Sequence, residues 1–98
     1  MTQQENLATA EKFGAAINSG QFEQFRDLMT TGIVDHDPAP DQGPGADGFI
    51  GFFTTMKTAF PDLTVAVEHL VADEDNVAFA YTLSGTHQGA FQGVAPTG

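Results

Sequence analysis

From Leu63 to Gly89 the chain alternates. Leu63, Val65, Val67, His69 and Val71 fall on every second position, and so do Val77, Phe79, Tyr81, Leu83, Gly85 and His87. Successive side chains of a strand point to opposite faces, so this period of two predicts strands with one buried side. Asp73, Glu74, Asp75 and Asn76 separate the two runs and are turn-forming residues. The pattern predicts an antiparallel hairpin with long arms. One face would carry Val65, Val67, Val71, Phe79, Tyr81 and Leu83, together with His69 and His87. Glu68 would face the other way, into solvent.

The residues upstream read as helices able to cover that face. Thr2-Gln3-Gln4-Glu5 has the spacing of a capping box, and Leu7, Ala10, Phe13 and Ile17 follow at helical intervals. A first helix is predicted over 3–18, stopped by Gly20. Phe22, Phe25, Leu28 and Met29 predict a shorter helix over 21–30, and Gly32 to His36 reads as a brief strand. Three prolines and two glycines between Asp37 and Gly45 require a loop, either a plain surface loop or the mouth of a pocket. Phe49, Ile50, Phe53, Met56 and Phe60 share one stripe of a third helix over 46–60, which Pro61 ends. This element order is α+β: helices on one face of a curved antiparallel sheet whose concave side leaves a pocket at its open end.

Composition narrows the function. Ninety-eight residues are expected to form a single domain (1–98) with a modest core, in which nine Phe and no Trp supply the bulk. Without cysteine the chain has neither a disulfide framework nor a thiolate nucleophile. A net charge of -10 repels phosphate backbones and anionic bilayers, so neither nucleic acid nor membrane is expected as a partner. No apolar run reaches membrane-spanning length, and the polar start lacks the pattern of a signal peptide, so a cytoplasmic location is expected.

Several fragments, taken together and in order, resemble the SnoaL-like polyketide cyclases, also called ester cyclases, of the NTF2-like superfamily. They are Asp35-His36-Asp37-Pro38, Ala59-Phe60-Pro61-Asp62-Leu63, Gly85-Thr86-His87-Gln88-Gly89-Ala90-Phe91-Gln92-Gly93 and Pro96-Thr97-Gly98. The resemblance implies a cone-shaped fold with a pocket lined by a curved sheet, and often a homodimer. It also implies intramolecular aldol ring closure of a polyketide ester, without metal or cofactor. Relatives continue past Pro-Thr-Gly into two more strands carrying the acidic general acid/base, a residue without counterpart up to Gly98. Ala80 stands where many relatives hold Arg.

Aldol closure needs a base beside a carbonyl and a donor for the enolate oxygen, and histidine starts with a pKa suited to the first task. His36 and His87 are the candidate catalytic residues; Asp35, Phe53, Phe79 and Tyr81 are the candidate substrate contacts. For each histidine a structural reading stands beside the catalytic one: His36 tied to loop backbone, His87 marking the exit of the strand from the core. His69 reads as structural. The three histidines lack the short spacings of a metal site, and no cofactor is expected. Two functions therefore stand at this point. One is a cyclase-like protein holding a small apolar or aromatic molecule in a cone pocket, with ring closure or a related proton transfer as its reaction. The other is a non-catalytic ligand-binding or dimerisation module. The unpaired edge of the last strand predicts a homodimer that buries the sheet. Light scattering across a dilution series should give twice the chain mass at high concentration; a constant monomer mass contradicts it.

Overall fold

The computed structural model describes residues 2–98. Its elements are α1 (Gln3–Ser19), a 3₁₀ turn (Phe22–Gln24), α2 (Phe25–Leu28), α3 (Gly45–Ala59), β1 (Thr64–Ala72) and β2 (Val77–Ser84). The two strands form an antiparallel hairpin. The α+β class expected from the sequence is observed, with α1 laid along one face of the hairpin and α3 packed against α2 and the 3₁₀ turn.

Local chemistry accounts for α1. The Thr2 hydroxyl accepts the Glu5 amide at 3.1 Å, and the Glu5 carboxylate accepts the Thr2 amide at 3.2 Å, closing the capping box. The Thr2 bonds also hold the Glu5 carboxyl below the usual carboxylate range. Gly20 ends the helix with φ 73°, a left-handed conformation that costs glycine little. α1 then runs beside β1. The Asn6 side chain reaches the Asp73 carbonyl at 2.8 Å near the hairpin turn. At the far end the Asn18 amide group accepts the Val65 N–H at 2.7 Å and donates to the Val65 carbonyl at 3.1 Å. One side chain thus satisfies both backbone groups of a strand residue on the side away from β2.

The second helix departs from expectation. Instead of one helix over 21–30, a 3₁₀ turn passes into a single α-turn that ends at Met29. Phe22 and Phe25 are both buried, and the tighter 3₁₀ turn eclipses residues three apart. The brief strand over 32–36 is absent as well. Asp35 takes up the local backbone instead, accepting the Asp37 amide at 2.9 Å. The third helix matches the expected span to within a residue.

The hairpin carries the main correction. Val67 pairs with Tyr81 and His69 with Ala80, so Glu68 is an extra residue without a cross-strand partner. Such a bulge inverts the alternation of everything beyond it. Leu70 and Ala72 therefore join Val65 and Val67 on the helix side, opposite Phe79 and Val77. His69 and Val71 turn to the outer face beside Ala80 and Ala78, and Val71 is 65% exposed. Glu68 does lie on the outer face, where it accepts the Thr82 hydroxyl at 2.8 Å. The arms are also shorter than the alternation suggests, because β2 ends at Ser84.

The core sits at the helical end. Phe25 is fully buried, with the rings of Phe13, Phe22 and Phe53 at centroid distances of 4.5, 5.8 and 5.5 Å. Ile17, Met56, Leu63 and Val65 close the cluster. Val67, Phe79 and Tyr81, although on the helix side of the hairpin, remain 45%, 51% and 50% exposed. Among the described residues no helix is long and apolar enough to cross a membrane. Phe25→Ala is expected to cost about 3–5 kcal/mol, against under about 1 kcal/mol for the half-exposed Phe79→Ala. The two urea midpoints check it.

Candidate functional site

Beyond Ser84 the chain leaves the strand and folds back on the C-terminal end of α3. The amides of Gln88 and Gly89 both donate to the Ala59 carbonyl, at 2.8 and 3.0 Å, taking up an acceptor the helix leaves open. A Cβ at Gly89 would lie 2.7 Å from the Thr58 carbonyl oxygen, so only glycine allows this approach. Asp62 fastens the same corner. Its carboxylate accepts the Thr86 amide at 2.7 Å and the Thr86 hydroxyl at 2.9 Å, and these bonds hold its pKa below the ordinary value.

This corner positions His87. Its ring lies on Phe60 at 5.3 Å, and Phe60 in turn meets Phe91 at 5.5 Å. His87 Nδ1 faces the Thr97 hydroxyl at 3.1 Å and the Thr97 amide at 3.3 Å. Nε2 is buried and has no hydrogen-bond partner among the described residues. With Thr97 N–H donating, Nδ1 is the acceptor, which in the neutral ring corresponds to the tautomer with N–H at Nε2. The imidazole is thus oriented through one nitrogen, with the other uncommitted.

The remaining candidates are dispersed. Phe79 and Tyr81 form a tilted ring pair at 5.3 Å on the helix side of the hairpin. His36 is exposed on the loop that follows α2. Asp35 is half-buried and accepts the Gln42 side chain at 3.0 Å. Phe53 belongs to the buried aromatic cluster. None of these residues, nor His87, lines either of two recesses among the described residues. One, about 550 Å³, lies between the start of α1 and the hairpin turn. A larger one, about 690 Å³, lies between residues 39–44, α3 and residues 91–93. Asp35 reaches the rim of the larger recess through Gln42; His87 reaches its wall through Phe60 and Phe91. Sequence reading missed Phe52 and Phe91 as wall residues. The glycines flanking Phe91 were the available signal, since they mark a turn. Among the described residues no three His, Asp or Glu side chains converge as a metal site would need.

A long helix along an antiparallel hairpin, with the following segment turned back onto the last helix, defines an α+β protein. The sequence pattern of the SnoaL-like polyketide cyclase family matches residues 8–98, and the chain belongs to that family. IdmH of Streptomyces antibioticus, a candidate polyketide cyclase, superposes with a TM-score of 0.77 at 33% identity, over 95% of this chain and 73% of its own. AclR of Streptomyces galilaeus, a candidate hydroxylase, gives 0.82 at 33% identity over 99% and 60%. A candidate SnoaL-like polyketide cyclase from Jannaschia sp. CCS1 gives 0.76 at 28% identity over 96% and 67%. The chain therefore spans between three-fifths and three-quarters of these proteins. No functionally curated protein matches the sequence.

The Asp62 tether is expected to be pH-sensitive. Folding favours the ionised carboxylate, so the tether contributes above the ordinary carboxylate pKa and is lost as pH falls through the depressed value. Hydrogen exchange at the Thr86 amide, compared with the global rate, should lose protection on acidification. Asp62→Ala should remove that protection at every pH and leave the α1 amides unchanged.

Proposed function

We propose that this chain forms the apolar wall of a ligand pocket of the SnoaL-like kind, and that its ligand is a small apolar or aromatic molecule. The carrying observation is the half-exposed row of Val67, Phe79 and Tyr81 on the helix side of the hairpin. Large apolar groups left uncovered on the side that faces the helices suit a flat guest, and two tilted rings add stacking to burial. The Tyr81 hydroxyl offers a donor for a carbonyl or enolate oxygen. The proposed reaction is cofactor-independent intramolecular ring closure, or a related proton transfer, and the proposed proton carriers are His36 and His87. Asp35 orients the loop that bears His36. Of the two, His87 has the better-defined ring, because Thr97 holds Nδ1; its Nε2–H is the proposed donor to the enolate oxygen, and His36 the proposed base that takes the substrate proton.

Binding without catalysis is the second reading. It is favoured by the dispersal of His36 and His87, which line no common recess. In both readings the outer face of the hairpin, where Val71 stands among Ala78 and Ala80, is proposed to meet a second copy of the chain.

Tyr81 is the sole tyrosine and tryptophan is absent, so intrinsic fluorescence reports on this face directly. Titration with an aromatic polyketide methyl ester should change the Tyr81 signal saturably. Phe79→Ala should weaken binding about tenfold, or ~1.4 kcal/mol. Chromatography of the same mixtures should show an isomer of unchanged mass whose formation stops in His87→Ala. Binding without that isomer supports the second reading; an unchanged signal at millimolar ester overturns both.

A further inference from the structure

The larger recess calls for its own account, because no residue of β1 or β2 lines it. Its volume of about 690 Å³ falls within the range of small-molecule sites. One wall is Phe52, whose ring is braced edge-on against the buried Phe53 at 5.1 Å. The other is Phe91, braced on Phe60 at 5.5 Å. Both rings are therefore held from behind while they border the recess.

Two glycines of α3 reach the recess, and they differ. A Cβ at Gly48 would fall 1.8 Å from the Gly43 carbonyl oxygen, so the loop that forms one rim explains Gly48. A Cβ at Gly51 would meet nothing within 4 Å. Glycine is the poorest helix former after proline, and here no contact within the protein calls for it. Its effect is to leave bare helix backbone on the floor between two aromatic walls.

The rims are shaped turns. Asp41 and Gln92 have φ of 64° and 48°, a left-handed conformation uncommon outside glycine. Each is held: Gln42 N–H donates to the Ala39 carbonyl at 3.1 Å, and Phe91 and Val94 exchange bonds of 2.9 and 2.8 Å around Gln92. Charge sets the remaining requirement. Asp41 and Asp47 border the recess; Asp47 is paired with the Arg26 guanidinium at 2.7 Å, which leaves Asp41 as the rim carboxylate without a cation among the described residues.

We propose that this recess is a binding site for a flat aromatic molecule that is neutral or cationic, its ring plane on the Gly51 backbone and its edges against Phe52 and Phe91. The site is separate from the Phe79–Tyr81 face. Carboxylate-bearing ligands are disfavoured by Asp41, whose charge no cation offsets, whereas that of Asp47 is met by Arg26.

The test uses three probes of one shape: 2-naphthylmethanol, 2-naphthylmethylamine and 2-naphthoate, titrated into the ¹⁵N-labelled chain. The alcohol and the amine should shift the amides of Gly51, Thr55 and Gln92 saturably, and the naphthoate should bind at least tenfold more weakly. Gly51→Leu fills the floor and should weaken the alcohol and amine at least tenfold. Gly51→Ala adds a single methyl to the floor and should weaken the same probes by a smaller factor than leucine does, while its retained amide spectrum reports an intact fold. The proposal is overturned if no probe shifts these amides at millimolar concentration, if naphthoate binds as well as the amine, or if a folded Gly51→Leu chain binds unchanged.

Discussion

Between Val67 and His69 the β1–β2 ladder slips by one residue, and which side chains meet the helices depends on that slip. Before it, Val65 and Val67 face α1; a Cβ at Gly14 would meet them at the ordinary contact distances of 4.0 and 3.8 Å. After it, Leu70 takes the inner position and His69 is turned outward. A regular strand would have carried His69 and Val71 inward and Leu70 outward. The bulge thus removes an imidazole from the covered side and puts a leucine there, which avoids desolvating a polar ring without a partner.

Two side-chain clamps then hold the hairpin to the helices. Asn18 occupies both backbone groups of Val65, and so fixes where β1 lies along α1. Asp62 and the Ala59 carbonyl secure the segment after β2 on the end of α3. Between the clamps lies the Phe13–Phe22–Phe25–Phe53 cluster, which concentrates burial at the helical end. The helical end supplies stability through close packing, and the hairpin leaves Val67, Phe79 and Tyr81 half-exposed.

The candidate site was only partly legible in the sequence. The loop rich in proline and glycine was readable as either a plain surface loop or a pocket mouth, and its residues 39–44 border the larger recess. Phe53 was readable as one of a helical stripe, but a stripe does not say whether it meets a ligand or other rings; here it meets Phe13, Phe25 and Phe52. Phe91 stands between Gly89 and Gly93 in a stretch without periodicity; the glycines mark a turn but do not say that its ring packs on Phe60. His87 continues an alternation that the backbone abandons at Ser84, and its partner Thr97 lies ten residues further on.

The sequence by itself determined the elements governed by short-range chemistry: α1 with its capping box and Gly20 stop, α3 ended before Pro61, the Asp73–Asn76 turn, and an α+β order of the SnoaL-like kind. These depend on residues within a few positions of one another, where periodicity and capping act. Only the tertiary structure decided the bulge at Glu68, the split of the second helix around Phe22 and Phe25, and the return of residues 85–98 onto α3. Each of these is set by a contact distant in sequence: the pairing across to Tyr81 and Ala80, the rings of Phe13 and Phe53, and the open carbonyl of Ala59. Such contacts carry no local signature, because the energy that selects them arises only when separate parts of the chain are packed together.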